Sequence, residues 1–191
     1  FHLYVIRTPK RDELQAFLKS MKADLFKNEY ITEDEYKAYI YGSADVVGLM
    51  CLKVFVNGNQ QKYNELKNAA MRLGSAFQKV NFLRDLKDDY ETLNRSYFPN
   101  VNIKELDSNS KEVIIKDIEA DFDYAYKNGI LKLPVDAQFG VYMAYRYYSR
   151  LLKKLKKLPF SEIMDARIRI SNTMKINLLA RSYVKYKLNL I

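Results

Sequence analysis

The sequence GSAFQKVNFLRDLKDDYETLNRSYFP, residues 74–99, decides the fold that we predict for this chain. Wound as a helix at about 100° per residue, it places a polar stripe on one side and apolar residues around most of the rest. A helix that is apolar on most sides is normally buried, so polar groups on it need a compensating partner. The stripe consists of Gly74, Gln78, Asn81, Asp85 and Asp89.

Two carboxylates of this stripe have the spacing of a divalent-cation site. Asp85 and Asp89 are four residues apart, on consecutive turns of one helix face. Magnesium prefers oxygen ligands and takes one or two protein carboxylates together with waters and substrate phosphates. The alternative is a solvated helix face, on which Lys79, Arg84 and Lys87 pair with the aspartates. The uncharged carboxamides in line with the aspartates favour a polar cleft.

The same stretch resembles the second aspartate-rich motif of the squalene and phytoene synthases. That motif has Gln, two residues, Asn, two residues, Arg-Asp, three residues and Asp, and later Arg, one residue, Tyr and a Pro two further on. The segments QKVNFLRDLKDD and NRSYFP carry these elements in order within residues 78–99. The resemblance implies metal ligands at Asp85, Asp89 and Asn81, with Asp85 and Asp89 catalytic. It also implies substrate-binding residues at Gln78, Arg84, Arg95 and Tyr97.

Arg95 and Tyr97 follow the aspartates directly. A guanidinium and a phenol at this place can bind diphosphate oxygens that a metal ion leaves unsatisfied. The alternative is an arginine at a helix end and a packed tyrosine.

A second helix is predicted from Thr32, which forms a capping box with Glu35, to about residue 56. Small residues at positions 42, 43, 44 and 48 lower its helical stability, so they indicate close helix packing or room for a substrate chain. The family has a Tyr, an Ala and a Gly with the spacing of Tyr39, Ala44 and Gly48. The resemblance implies that Tyr39 lies beside the reacting carbons, where its ring stabilises a carbocation, and that Ala44 and Gly48 bind substrate.

Apolar periodicity predicts the other helices. They cover residues 10–26, 61–93, 111–126, 137–155 and 161–188, and Asn57-Gly58-Asn59 forms a turn. Asp24 is predicted to be a surface or capping residue, although the family often has an aspartate at this place. Tyr148 has the spacing of a cavity-lining tyrosine in the family's late helix, which implies a substrate-binding residue. The basic sequence ARIRIS, with Lys175 after it, resembles the family's C-terminal helix.

Composition indicates one folded domain that handles anions. The 191 residues have a net charge of +9 and are 48% hydrophobic, which excludes a disordered chain. The charge favours nucleic acid, anionic lipid or diphosphate as partner. No Gly-rich phosphate loop, Cys/His metal spacing or Ser-His-Asp set occurs in the sequence. The single Cys51 excludes an internal disulfide, and its apolar setting predicts a buried thiol in a reducing cytoplasm.

The resemblance implies an all-α fold, a class I isoprenoid synthase bundle around a central cavity, as one domain over residues 1–191. Family members condense two prenyl diphosphates head to head with Mg²⁺, for which Mn²⁺ can substitute. Phytoene synthases use geranylgeranyl diphosphate; squalene synthases use farnesyl diphosphate and NADPH. The family's first aspartate-rich motif lacks a counterpart here, since Asp12-Glu13 and Asp34-Glu35 have the wrong spacing. We therefore expect the chain to be the later two thirds or so of a family member; the alternative is a protein that has lost the motif. This chain holds half of the family's metal site.

Synthesis of phytoene is the favoured function, and others stay open. The enzymatic alternative is a squalene-type synthase. A non-catalytic assembly protein, like the mitochondrial complex I assembly factor related to this family, is another, against which Asp85, Asp89, Arg95 and Tyr97 argue. A nucleic-acid binder, indicated by charge alone, ranks last, so we expect no nucleic-acid partner. We expect a cytoplasmic monomer or weak dimer with peripheral membrane attachment through the basic C-terminal helices.

Overall fold

A computed structural model describes residues 10–93, 95–99, 108–188 and 190. Within these residues the chain is all-α, as predicted, and its one β contact is an isolated bridge between Glu29 and Ser96. The helices in chain order are α1 (Arg11–Ala23), α2 (Glu33–Ile40), α3 (Val46–Phe55), α4 (Gln60–Arg84), α5 (Leu86–Glu91), α6 (Ser108–Asn128), α7 (Val135–Lys157), α8 (Phe160–Asp165) and α9 (Asn172–Lys187). A π-helical turn, Tyr41–Asp45, joins α2 to α3, and a 3-10 turn, Ile130–Lys132, precedes α7.

Helices α2 and α4 begin where their capping and turn residues predict. Thr32 Oγ1 accepts from the Glu35 backbone N–H at 3.2 Å, and the Glu35 carboxylate accepts from the Thr32 N–H, which completes the capping box. The predicted turn before α4 has Asn57 and Gly58 at φ 51° and 74°, in the left-handed region. Asn59 then caps α4 by accepting from the Lys62 N–H at 2.9 Å.

Helix α4 lies at the centre of the fold, in contact with α3, α6 and α7. Its buried residues meet α6 and α7 in one apolar core, which includes Val80, Ile118, Leu151 and Leu155. Burial of each such side chain stabilises the fold by roughly 1.5–3 kcal/mol before entropy is subtracted. The length and apolar packing of α4 therefore fix the positions of Gly74, Gln78 and Asn81, the residues of the polar stripe that lie on it.

Two glycines allow backbones to touch at this centre. A Cβ at Gly48 would lie 2.5 Å from the Ala70 carbonyl oxygen, and one at Gly74 would lie 2.5 Å from the Ala44 carbonyl oxygen. No side chain fits at such distances, so the small residues of the second helix serve close helix packing.

Two predicted helices are each interrupted. The helix predicted over residues 61–93 ends at Arg84 and resumes at Leu86, because Asp85 leaves helical geometry at φ −98° and ψ 8°. The helix predicted over residues 161–188 is broken by extended residues between α8 and α9. The sequence RIRI buries Ile168 and Ile170 and exposes both arginines, which is the two-residue period of extended chain. The resemblance of ARIRIS to a helix is therefore wrong.

The prediction of a buried Cys51 is also wrong. Leu49 and Leu52 occupy the buried positions of α3, and Cys51 is exposed. Helical geometry explains this, because neighbouring residues on a helix point about 100° apart.

One helical stretch of the described residues, Glu33–Phe55, is long and apolar enough to cross a membrane. Length and composition alone are weak support for such a span, since core helices also pass this test. Leu49 and Leu52 of this stretch belong to a buried apolar cluster with Tyr63 and Leu66 of α4.

We predict that Gly48→Ala lowers the free energy of unfolding by about 1–3 kcal/mol, because the new methyl group collides with the Ala70 carbonyl. Gly140→Ala on α7 is the matched control. Its Cβ meets nothing within 4 Å, and alanine favours a helix by up to about 1 kcal/mol. Urea denaturation measures both variants, and equal stability of Gly48→Ala and Gly140→Ala would show that the close approach is absent.

Candidate active site

An apolar cavity of about 550 Å³ lies beside α4, bordered by the π-helical turn, α3, α6 and α7. Its lining is made mostly of aliphatic and aromatic side chains and small residues. Ala44, Gly48 and Gln78, three predicted substrate-binding residues, all line it. The π-helical turn that supplies Ala44 is a distortion that proteins often place at functional sites. A cavity with this lining suits a hydrocarbon chain.

The polar end of the site follows from Gln78 along α4. Asp85 lies seven residues beyond Gln78, or about 10 Å along the helix axis. Between them, Asn81 Oδ1 accepts from the Tyr148 hydroxyl at 3.3 Å. The Tyr148 ring stacks on Phe77, a cavity-lining residue, at 4.2 Å between centroids. The structure therefore brings the predicted residues Asn81 and Tyr148 together at the junction of cavity and polar end.

Asp85 is engaged by two arginines. Arg84 Nε donates to Asp85 Oδ1 at 2.9 Å, and the same guanidinium contacts Oδ2. Arg167, from the extended segment before α9, approaches Oδ1 with its Nε at 2.7 Å. Both carboxylate oxygens therefore face positive charge. The sequence analysis did not predict Arg167 as a partner of Asp85, because the two residues are 82 positions apart in the chain. The alternation of arginine and isoleucine in RIRI was the available signal.

Asp89 lacks such compensation. Among the described residues, its carboxylate has no hydrogen-bond or ion-pair partner. Its pKa is raised to about 6 by burial first and then by the nearby carboxylates of Asp85 and Asp88, against the lowering effect of Arg95 and Arg167. A half-buried carboxylate beside two others is the electrostatic setting that a cation relieves.

A second group of contacting residues, which we call the second cluster, consists of Asp24, Arg95 and Tyr97 and lies beside Asp89. The Arg95 backbone N–H donates to the Asp89 carbonyl at 2.8 Å. Its guanidinium donates to the backbone carbonyl of Asp24 and, at 3.4 Å, to the Tyr97 hydroxyl. Tyr97 is buried, with its ring 3.9 Å from Phe82 between centroids. Arg95 is thus positioned near the end of α5 by Asp24, which is 71 residues away along the chain, and by its neighbours Asp89 and Tyr97.

Tyr39 contacts this second cluster. Its hydroxyl donates to Asp24 Oδ1 at 2.7 Å, and its ring stacks against Tyr97 at 5.6 Å between centroids. It is buried, which raises its pKa well above the ordinary value for tyrosine, and it is not among the residues that line the cavity. Asp24 is the C-cap residue of α1, in agreement with the capping prediction, and it also connects Tyr39 to Arg95.

The chemistry of Asp85, Asp89 and Asn81 fits a magnesium ion in part. The described residues contain no group of three or more His, Cys, Asp or Glu side chains that could hold a metal. Magnesium does not require one, because it is commonly held by one or two carboxylates and completes its shell with water and phosphate. Asp89, whose negative charge has no ion-pair partner among the described residues, fits this role. Asp85 instead forms ion pairs with Arg84 and Arg167.

The sequence profile described as squalene/phytoene synthase matches residues 5–174. The chain belongs to the squalene/phytoene synthase family. This confirms the resemblance that residues 78–99 indicate. The two aspartates, Arg95 and Tyr97 all lie inside the matched region.

Curated relatives of this squalene/phytoene synthase family protein are phytoene synthases at low identity. It is 28% identical over 188 aligned positions to a bifunctional lycopene cyclase/phytoene synthase of Blakeslea trispora, covering 88% of this chain and 31% of that protein. It is 25% identical over 193 positions to phytoene synthase 1, chloroplastic, of Solanum lycopersicum, covering 91% and 46%. The chain thus spans less than half the length of these relatives.

A solved structure confirms the fold. YisP from Bacillus subtilis superposes with a TM-score of 0.72 at 23% identity, over 94% of this chain and 74% of that one. With the family match, this confirms an all-α fold of the isoprenoid synthase type.

We predict that Mg²⁺ lowers the pKa of Asp89 and leaves that of Asp45 unchanged. Both are raised to about 6, mainly by burial, which makes Asp45 a matched control. Asp45 Oδ1 accepts from the Ser75 hydroxyl at 2.6 Å, and its side chain lies outside the candidate site. A cation stabilises the charged carboxylate, so the Asp89 pKa must fall.

Carbon-detected NMR titration of the aspartate carboxyls measures both values, with and without MgCl₂ at constant ionic strength. Equal shifts of Asp45 and Asp89, or no shift of either, would contradict a magnesium site at Asp89.

Proposed function

We propose that this protein condenses two prenyl diphosphates head to head, forming phytoene from two geranylgeranyl diphosphates by way of prephytoene diphosphate. The observation that carries the proposal is that one helix, α4, connects an apolar cavity to a carboxylate pair. Gln78 lines the cavity, and Asp85 and Asp89 follow at the polar end. Membership of the squalene/phytoene synthase family supports this class of reaction.

The residues at the polar end bind and orient the diphosphate group in this proposal. Arg84, Arg95 and Arg167 lie around the two aspartates and carry the positive charge that diphosphate oxygens require. Asp85, Asp89 and Asn81 would hold magnesium, or manganese in its place, and the ion would supply positive charge for the leaving diphosphate. The Tyr148 hydroxyl orients the Asn81 amide by donating to its oxygen.

The cavity residues hold the hydrocarbon chain and exclude water. Ala44 and Gly48 line the cavity beside the chain, and Gln78 marks its polar end. Exclusion of water protects an allylic cation from premature capture. The resemblance gives the Tyr39 ring a carbocation-stabilising role, but in this structure the ring is stacked on Tyr97 outside the cavity lining. Tyr97 is proposed to bind diphosphate together with Arg95, which donates to its hydroxyl.

The second candidate is a non-catalytic family member that acts as an assembly or interaction protein. The observation in its favour is the double engagement of Asp85 by Arg84 and Arg167, because a carboxylate neutralised by two guanidinium groups has less need of a metal. The activity assay separates the two candidates.

We predict that the protein, expressed with its full natural sequence, converts geranylgeranyl diphosphate and Mg²⁺ to phytoene without NADPH. Asp89→Asn is expected to lower the rate by about 10² or more, because the charge that holds the metal is lost. Asp88→Asn is the control, since Asp88 is an exposed neighbour on the same helix.

Gas chromatography with mass spectrometry identifies the product. Formation of squalene from farnesyl diphosphate and NADPH would show that the protein is a squalene-type synthase and not a phytoene synthase. No product from either substrate would favour the non-catalytic candidate.

A further inference from the structure

One position in the wall of the apolar cavity has no side chain and no neighbour that requires this. The residues of α7 that line the cavity are Asp136, Ala137, Gly140, Val141 and Ala144. At about 100° per residue they lie within about 140° of one another on the helix, so they form one face. Gly140 is exposed, and outside its own helix a Cβ built on it would have no heavy atom within 4 Å. A larger residue at this position would therefore extend into the cavity.

The other glycines that line the cavity are explained by packing. A Cβ at Gly48, Gly74 or Gly129 would lie 2.5–2.7 Å from an atom of a neighbouring element, where no side chain fits. Nothing packs against Gly140 in this way. Glycine in the interior of a helix costs about 0.5–1 kcal/mol relative to alanine, so its presence in α7 requires another explanation.

Tyr148 gives the distance from Gly140 to the polar end of the cavity. The Tyr148 hydroxyl donates to Asn81 Oδ1 at 3.3 Å, at the junction of the cavity and the carboxylates. Gly140 precedes Tyr148 by eight residues on the same helix, or about 12 Å along its axis. The lining continues beyond Gly140 through Ala137 to Leu133. The cavity thus extends past Gly140 on the side away from the aspartates.

The length of a prenyl chain can be compared with this distance. With carbon–carbon bonds of about 1.5 Å, the four bonds that an isoprene unit adds extend a chain by about 4–5 Å. A chain whose diphosphate lies at the aspartates begins near Asn81, because Asp85 is about one helical turn, or 6 Å, further along. Three isoprene units then end close to Gly140, and a fourth unit has to pass it.

We propose that Gly140 admits the fourth isoprene unit and thereby allows the cavity to accept a C20 chain as well as a C15 chain. This inference rests on the proposed function, since it concerns a prenyl diphosphate bound with its head at the aspartates. Gly140 determines specificity by leaving space and contacts no reacting atom. A bulky side chain in its place closes the cavity at the end of the third unit.

The test compares two unreactive analogues, farnesyl thiodiphosphate and geranylgeranyl thiodiphosphate, whose binding to the full-length protein with Mg²⁺ is measured by isothermal titration calorimetry. The wild type is expected to bind both. Gly140→Phe should weaken binding of the C20 analogue at least about tenfold and that of the C15 analogue less than about twofold, because the phenyl ring meets only the fourth unit. Lys153→Phe is the matched control, since Lys153 is exposed on α7 and points about 140° away from Gly140. It should bind both analogues like the wild type.

Thermal unfolding followed by circular dichroism shows that both variants fold. Unchanged binding of the C20 analogue to Gly140→Phe, or equal weakening of both analogues, would overturn the assignment of Gly140 and leave the proposed function in place. Binding of the C15 analogue alone by the wild type would also overturn it, because the fourth unit would then be excluded in spite of Gly140. Binding of neither analogue by the wild type would contradict the proposed function itself, and this inference with it.

Discussion

A partly buried carboxylate pair at the break between α4 and α5 must be compensated, and the polar half of this structure is arranged around that requirement. Arg84 and Arg167 neutralise Asp85. Asp89 keeps a pKa of about 6 because burial and neighbouring carboxylates outweigh the arginines near it. The two aspartates of one motif therefore differ: one is satisfied by the protein, and the other remains available for a cation.

The sequence predicted the features that depend on neighbours along the chain. The capping box at Thr32 and the apolar sides of α4 follow from local spacing. Gln78, which the motif names as substrate-binding, lines the cavity on α4, before the carboxylates in the chain. The positions that the sequence failed to predict depend on distant partners. Arg167 reaches Asp85 from an extended segment, and Asp24 connects Tyr39 to Arg95 across three parts of the chain.

The break at Asp85 shows why helical periodicity alone was insufficient. Apolar residues continue at helical spacing through Leu86, so the pattern contains no stop signal. The backbone nevertheless leaves helical geometry at Asp85, whose carboxylate is bound by guanidinium groups from two elements. In the same way, Cys51 lies in an apolar sequence but is exposed at the border of the cavity, because α3 buries Leu49 and Leu52 instead.

The reactivity of Cys51 measures most directly whether the cavity and the aspartates form one site. Cys51 borders the cavity, and partial burial raises the pKa of its thiol, so alkylation is followed at alkaline pH by peptide mass spectrometry. An unreactive geranylgeranyl thiodiphosphate with Mg²⁺ should slow alkylation at least about tenfold, because the prenyl chain fills the cavity. Inorganic diphosphate should give no protection. The analogue should no longer protect Cys51 in the Asp89→Asn variant. An unchanged alkylation rate at saturating analogue, or equal protection by inorganic diphosphate, would contradict the claim that the cavity and the aspartates form one site.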